Sequence, residues 1–374
     1  MNKVKILVIL GEPIVNGGQE SFILNMYNNM DLEKIQIDVL TPFFCENLGF
    51  KEQIEKNGGE VFILNNTFDK DRKRNFVESV KKFLKDHQYE TVHIQSGSIY
   101  SLMVGAKIAK KNNVKNIIVH SHCGGFSNLK YKIIKVLSSY SLNKYPTEYW
   151  ACSNLAAKWK FPKKIIKEGK YKVLKNSIDT SKIYYSTSIR EEKREELRVQ
   201  DNLVIGHIGR FSIQKNHEFL IEIFNEIYKL NNKAILLLIG SGELEEKIRE
   251  KVKELNLQEN VKFLGIRNDI NGLLNAMDLF LLPSFFEGLP VVGVEAQATG
   301  LPVVSSDRIT KELPIDKLSF YYSLDLNANE WAKNILNILN NFERINTTNE
   351  ILQAGYDVKS AANLMQRYYL DMNK

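Results

Sequence analysis

SFFEGLPVVGVEAQATGLPVVSSD, residues 284–307, joins the end of one apolar strand to a helix and then to a second apolar strand. Glu287 stands just past the first strand, LFLLP, and Glu295 follows eight residues later, about two helical turns on. A carboxylate at the carboxyl end of a strand, beside the bare amides of a helix start, suits a hydroxyl-rich, negatively charged ligand such as a nucleotide sugar. The second carboxylate, lying two turns further along, points toward the same crevice and is placed to grip a diol.

Outward from this segment, short apolar runs alternate with helical patterns along the whole chain. That alternation predicts an α/β fold with parallel sheets covered by helices on both faces. KILVIL, IQIDVLT, VFIL, TVHI, NIIVHS and YWACS are the expected strands of the first half. ESFILNMYNNM, RNFVESVKKFLKDH and IYSLMVGAKIAKKN carry apolar residues at helical spacing between them. NLVIGHIG, AILLLIG, VKFLG, LFLLP and PVVSS repeat the pattern in the second half, where Leu244, Ile248, Val252 and Leu255 form one buried helical stripe. The polar, charge-rich TSKIYYSTSIREEKREELRV between the halves is expected to be a linker followed by a short helix. Two domains follow, residues 1–180 and 200–357, with a last helical pattern in 358–374; no repeat of solenoid length interrupts them.

With 374 residues the chain is too long for one ordinary core. Its 44% hydrophobic and 25% charged residues are those of a globular protein. Cys45, Cys123 and Cys152 are far apart and form no metal-ligand pairs, which points to a reducing compartment and no disulfide framework. The basic, apolar opening MNKVKILVIL stops at Gly11 and Glu12 without a cleavage site, so a first strand is expected there rather than a signal peptide. No apolar run approaches the length of a membrane span.

The net charge of +7 is concentrated in one place. Residues 121–175 hold twelve lysines, no arginine and only two acids, Glu148 and Glu168, while the rest of the chain is slightly acidic. Within NLKYKIIKVLSSYSL, Lys130, Lys132 and Lys135 sit beside Ile133, Ile134, Val136 and Leu137. That pattern fits either a basic, amphipathic surface for an anionic membrane or a solvated helix face. Nucleic acid is not expected, because no recognition module accompanies the charge.

Several other residues are placed for chemistry. Arg210 and Lys215 follow the strand NLVIGHIG and precede the helix HEFLIEIF, at the carboxyl edge of the second sheet. Fixed cations there stabilise the charge that grows on a departing diphosphate, most strongly where water is excluded. Gly17 and Gly18, between the first strand and ESFILNM, let backbone come close to a ligand or serve a tight turn. Their spacing from Gly11 is not that of a dinucleotide fingerprint. His120 and His122 end the strand NIIVHSH on one face of the sheet edge, with no third residue at zinc-ligand spacing. His93 on the preceding strand is expected to be structural. Asp69 and Asp71 spell D-x-D in a polar turn, where Asp71 is expected to cap a helix.

Taken together, E-x7-E in its strand and helix context resembles the retaining glycosyltransferases of family GT4, which have the two-domain GT-B fold. HIGRFSIQKN at 207–216 is similar to the family's G-R-x5-K diphosphate segment, IGSGELEEKI at 239–248 to its glycine turn, and VKFLGIRND at 261–269 to its base-facing loop. NGGQES at 16–21 resembles the G-G-x-E acceptor-side loop. The matches run in family order from residue 16 to residue 307. They imply two Rossmann-like domains facing across a cleft, with helix 358–374 crossing back onto the first. By the same resemblance Arg210 and Lys215 contact the donor diphosphate, Glu287 approaches the sugar hydroxyls, Glu295 holds the ribose and His122 contacts the donor sugar. Gly17 and Gly18 lie under the donor phosphates or at the acceptor side. Gly265 and the neighbouring Ile266 and Arg267 face the nucleobase through backbone groups, while Asp269 is expected to cap the helix that follows. Where relatives have E-x-F-G this chain has Pro290, which lacks an N–H, so amides of Gly288, Leu289 or Val291 must serve the phosphate.

The resemblance implies a cytoplasmic enzyme that moves a sugar from a nucleotide donor, uridine being the commoner base, onto a hydroxyl of a lipid-linked or growing glycan. The setting it implies is bacterial capsule, exopolysaccharide or lipopolysaccharide synthesis, at the inner face of the membrane. No cofactor and no obligatory divalent metal are expected. The rival readings are a nucleotide-sugar epimerase on the same scaffold and a non-catalytic protein that binds nucleotide sugars or scaffolds a complex.

Overall fold

The computed structural model describes residues 3–15, 17–122, 129–340 and 342–374. Asn16, Cys123 and the side chains of Lys130 and Lys132 therefore lie outside the described residues. The chain folds as two compact units, Met1–Ser177 with Val358–Lys374, and Ile178–Asp357.

The first unit is built on a seven-stranded sheet. Its strands are β1 (Val4–Leu10), β2 (Ile35–Thr41), β3 (Val61–Ile63), β4 (Thr91–Ser96), β5 (Asn116–Ser121), β6 (Glu148–Ala151) and β7 (Lys172–Val173). They lie in the order β3-β2-β1-β4-β5-β6-β7 and pair in parallel throughout. Helices cover both faces, so the inner strands need apolar residues on both sides. β4 shows the consequence, because all six of its residues are buried, the polar His93, Gln95 and Ser96 among them. Helix Val358–Met372 packs Val358, Ala361, Ala362, Met365 and Tyr369 into the core of this unit beside Ile6, Val8, Phe22 and Trp150.

The second unit carries six parallel strands: β8 (Leu203–Ile208), β9 (Ala234–Ile239), β10 (Val261–Phe263), β11 (Leu279–Leu282), β12 (Val303–Ser306) and β13 (Ser319–Tyr322). Their order is β10-β9-β8-β11-β12-β13. In each sheet the order reverses beside the first strand, between β1 and β4 and between β8 and β11. Loops leaving the carboxyl ends of those two strands diverge, which opens the crevice where such sheets bind ligands.

The stretch expected to be a linker followed by a short helix does form that helix, but all of it belongs to the second unit. Helix Thr187–Leu197 packs on helix Ile270–Ala276. Arg190 donates to the carbonyls of Asn275 and Met277, and Arg194 pairs with Asp278 at 3.3 Å. Its glutamates Glu191, Glu192, Glu195 and Glu196 face solvent, while its two arginines are spent on the neighbouring helix end.

Two capping expectations need correction. Asp71 stands at the N-cap of helix Arg72–Asp86, but its side chain makes no capping bond; Asp69 instead accepts from the Asp71 N–H at 2.9 Å. Asp269 also stands at an N-cap without capping, because Arg267 and Lys193 hold its carboxylate at 2.6 and 2.9 Å. That pairing holds the Asp269 carboxyl well below the usual range, with the Arg267 hydrogen bond as the largest cause.

Candidate active site

Two loops meet at the switch point of the second sheet. The first leaves β8 through Gly209 to Ser212, makes a single turn over Ile213–Lys215 and enters helix His217–Leu230. The second leaves β11 and reaches helix Val291–Ala298. The Phe285 N–H donates to the Gln214 carbonyl at 2.9 Å, and Asn216 donates to the Pro283 carbonyl at 3.1 Å. Gln214 Nε2 donates to the Phe286 carbonyl at 3.0 Å and to Glu287 at 3.2 Å. Lys215 Nζ completes the join, donating to Glu287 Oε1 at 2.6 Å.

Lys215 and Glu287 are thus one unit of chemistry. Their side chains are only 15% and 9% exposed, so each charge is compensated mainly by the other. The pair offers a fixed ammonium and a carboxylate at one strand end, a donor for phosphate oxygen beside an acceptor for sugar hydroxyls. Arg210 is arranged otherwise. It is largely exposed and its Nε donates to Glu243 at 3.1 Å, in the loop that follows β9. Among the described residues nothing joins it to the Lys215–Glu287 pair.

That glycine loop packs against the first one. Gly240 has φ of +131°, and a Cβ there would meet the Gly209 carbonyl oxygen at 2.2 Å, so only glycine permits this approach. The Gly240 N–H donates to the Gly265 carbonyl at 2.8 Å. The Gly265 N–H has no partner among the described residues, and Ile266 beside it is exposed.

Glu295 lies on helix Val291–Ala298, partly open at its surface but with its carboxyl crowded by protein atoms. Among the described residues that carboxyl has no hydrogen-bond partner, and desolvation pushes it up to about 7. Pro290 stands at the N-cap of this helix, where it contributes no N–H. The Val291 N–H has no partner among the described residues, while Gly288 and Leu289 lie in the loop that leads to it.

In the first unit, Gly17 caps helix Gly18–Tyr27, and a Cβ on it would lie 2.8 Å from Glu20 Oε2, whereas Gly18 faces open space. Glu20 is buried, accepts from the Val15 N–H at 3.2 Å and is pushed up to about 7 by desolvation. Glu12 follows β1 as Glu287 follows β11. Ser96 Oγ donates to Glu12 at 2.7 Å, and burial raises its carboxyl as well. A cavity of about 240 Å³ opens at this strand end, and its lining includes Glu12, Arg72, Lys73, Ser98 and Tyr100.

His122 ends β5 with its Nε2 2.8 Å from Gln95 Oε1. With the Gln95 amide oxygen turned to it, Nε2 carries the proton, and Nδ1 has no partner among the described residues. Desolvation takes this ring down to about 3, which keeps it neutral at any ordinary pH. Behind it His120 stacks at 4.2 Å, and His93 bridges His120 Nδ1 and the Tyr369 hydroxyl at 3.1 and 2.6 Å. His93 is structural, tying the C-terminal helix to the sheet.

Gln214, Glu12, Glu20 and Gln95 were not singled out in the sequence. Gln214 lies inside the quoted Arg210–Lys215 segment and Glu20 inside NGGQES. Glu12 could have been found by the strand-end argument that picked out Glu287. Nothing in the sequence pairs Gln95 with His122, because that contact depends on the register of β4 beside β5.

Two parallel α/β units with diverging loops at their switch points are the GT-B architecture, and solved structures share it. Over 98% of this chain and 96% of HepE from Anabaena, crystallised with UDP and glucose, the TM-score is 0.68 at 19% identity. Sucrose-phosphate synthase from Thermosynechococcus elongatus gives 0.78 over 99% of both chains at 17% identity. In sequence, residues 188–351 match the family described as Glycosyl transferases group 1. EpsF of Bacillus subtilis, a glycosyltransferase by provisional assignment, is 30% identical over 306 residues, 79% of this chain and 78% of EpsF. The Escherichia coli UDP-Gal:alpha-D-GlcNAc-diphosphoundecaprenol alpha-1,3-galactosyltransferase is 28% identical over 61% of this chain and 60% of its own length. The chain belongs to the group 1 glycosyltransferases.

Proposed function

We propose that this chain transfers a sugar from a UDP-sugar to a hydroxyl of a lipid-linked or growing bacterial glycan, with retention of anomeric configuration and without an obligatory divalent metal or other cofactor. The observation that carries this reading is the Lys215–Glu287 pair, enclosed at the switch point of the donor-side sheet. In the reaction the bond from the anomeric carbon to the diphosphate oxygen breaks and the acceptor oxygen bonds to that carbon. The products are the glycoside, the nucleoside diphosphate and the proton of the acceptor hydroxyl.

Lys215 and Arg210 are the cations for the departing diphosphate, and the Val291 amide with those of Gly288 and Leu289 adds donors. Preset charge in a site that excludes water is worth more than the same charge in solvent, since nothing has to reorganise as the bond breaks. Glu287 accepts from sugar hydroxyls and Glu295 from the ribose diol, while Gly265 and Ile266 meet the base. His122, neutral and with a bare Nδ1, accepts from a hydroxyl of the transferred sugar, and Gly17 and Gly18 leave room for the phosphates or the acceptor. Positioning of the acceptor oxygen supplies much of the rest of the rate.

The printed substrates of relatives support the donor and acceptor classes. The Escherichia coli enzyme takes its sugar from UDP-Gal and acts on a diphosphoundecaprenol-linked sugar, and a Campylobacter jejuni relative acts on a diphospho-undecaprenol substrate. HepE has been crystallised with UDP-glucose. On this reading the chain works in the cytoplasm, at the inner face of the membrane, in capsule, exopolysaccharide or lipopolysaccharide assembly.

The test is UDP release from a panel of UDP-sugars with lipid-linked acceptor, for the wild type and Glu287→Ala. The variant should lose activity by about 100-fold or more. Unchanged turnover would remove Glu287 from the mechanism, and interconversion of the donor without acceptor would favour an epimerase. Activity should survive chelator; its loss and recovery on adding a divalent ion would overturn the metal-independent step.

A further inference from the structure

Helix Leu129–Lys144 leaves a strip of large apolar side chains uncovered. Ile133, Val136, Leu137 and Tyr140 are 51, 72, 72 and 70% exposed. Their spacing of three, four and seven residues from Ile133 puts them on one face of the helix. The opposite side is anchored, with Ser138 and Leu142 buried and the helix packed on helix Ile99–Lys111. The other exposed large apolar residues, such as Leu48, Ile213, Leu230 and Ile266, are scattered singly over separate elements, which is ordinary for a protein surface. Four together on one helix face are not.

Cations frame the strip. Lys144, Lys158, Lys163 and Lys164 are exposed, and among the described residues none of them pairs with a carboxylate. A groove of about 660 Å³ runs alongside, between this helix and the segment Pro162–Lys164. Tyr131 and Trp159 stack at 4.6 Å at its edge, and Lys135 reaches across to donate to the Lys158 carbonyl at 2.5 Å. Lysine stems are apolar and their heads are charged, so they can lie along an interface with the ammonium in the headgroup layer.

The combination selects the occupant. A second copy of this chain would bring the same twelve-lysine segment against itself, and like charges oppose that contact. A nucleic acid would satisfy the lysines and leave the apolar strip in water. A layer that is anionic at its surface and apolar beneath satisfies both. We propose that the face formed by Ile133, Val136, Leu137 and Tyr140 with Lys144, Lys158, Lys163 and Lys164 docks the first unit on an anionic lipid bilayer. The face lies in the surface layer and does not span it, since among the described residues no helix is long and apolar enough to cross. The proposal rests on the functional reading above for its purpose, bringing the enzyme to a lipid-linked acceptor, and on the side chains named here for its geometry.

The experiment is co-sedimentation of the full chain with vesicles of phosphatidylcholine alone and of phosphatidylcholine mixed with phosphatidylglycerol, with no nucleotide sugar present. The wild type should bind only the mixed vesicles, and raised salt should release it. Val136→Ser with Leu137→Ser, and separately Lys163→Gln with Lys164→Gln, should each weaken binding at least about ten-fold. These positions are exposed, so both variants should keep the wild-type melting temperature. Tyr140→Trp should show a blue-shifted emission on mixed vesicles and none on neutral ones. Equal binding to both vesicle types, or unchanged binding by either double variant, overturns the proposal. So does a wild-type dimer that the Val136→Ser, Leu137→Ser variant abolishes, which would make the face a self-interface. Vesicle binding without sugar transfer would sink the functional reading alone, and transfer to a water-soluble acceptor without vesicle binding would sink this one alone.

Discussion

Lys215 and Glu287 each require the other, because a single charge in so enclosed a place would be left without water or counter-charge. Gln214 fixes the second oxygen of Glu287, so the carboxylate is oriented before any ligand arrives. Glu295 is the contrasting case, a carboxyl with desolvation and no compensation. Its proton is lost near pH 7 in the folded chain and near 4.5 in the unfolded one. Below pH 4.5 both states hold the proton and the site carries no penalty. As pH rises from 4.5 to 7 the unfolded chain ionises first, so the folded state loses stability over that window, on the order of 3 kcal/mol in all. Glu295→Gln removes the ionisation. The variant should gain on the wild type between pH 4.5 and pH 8 in denaturant unfolding of the second unit and, on the proposed function, lose donor affinity. Parallel pH profiles for the two proteins would show that the carboxyl is not desolvated.

Elements of this fold were legible where burial on both faces forced an unbroken apolar run. AILLLI became β9 with every residue buried, and LFLLP and PVVSS gave β11 and β12. β13, SFYY, was not read as a strand: its run of Phe320, Tyr321 and Tyr322 is short, and all four residues are half-buried at the sheet's edge. β7 spans only Lys172–Val173 inside the lysine-rich segment. The pattern around Glu287 was readable because its strand and helix are local, but its pairing with Gln214 and Lys215 is a contact between distant loops. Helix Thr187–Leu197 was expected, but its place in the second unit was not, since Arg190 and Arg194 reach the Asp278 carboxylate and backbone carbonyls about 80 residues away, and carbonyls have no sequence signature. Those carbonyls end helix Ile270–Ala276, where Arg344 also donates to Leu274, Asn275 and Met277 and, further on, to Thr299. Burial lowers the Arg344 guanidinium to about 9, and Arg190 nearby adds to the effect. Arg344→Leu strands several buried acceptors at once and should cost the second unit about 3 kcal/mol or more. Thermal unfolding followed by hydrogen exchange should show the loss in residues 178–357; an unchanged midpoint there would mean that solvent already serves those carbonyls.

Across the whole molecule the first unit is discontinuous in sequence, while the second is one insertion within it. Ile178 pairs with Asp357, and its N–H donates to the Tyr356 carbonyl at 2.9 Å, so the chain enters and leaves the second unit at one point. The last seventeen residues then return to the first core, with Tyr369 reaching His93 and Gln366 accepting from the Asp31 N–H at 2.7 Å. Fully burying one large apolar side chain is worth about 1.5–3 kcal/mol, and a whole domain is stable by only about 5–15. Removing Val358, Met365 and Tyr369 with their alanine neighbours therefore takes away much of the margin of the first unit and none of the core of the second. A chain that stops after Asp357 should exchange amide hydrogens rapidly in β1, β2 and β4 while β8, β9 and β11 stay protected. On the proposed function it should also lose sugar transfer but still be stabilised by UDP, because Lys215, Gly265, Glu287 and Glu295, the residues proposed to hold the donor, all lie within 178–357. Protection retained in β1 and β4 would show that the C-terminal helix covers a core already stable without it, and loss of protection in both sheets would show that the two units fold as one.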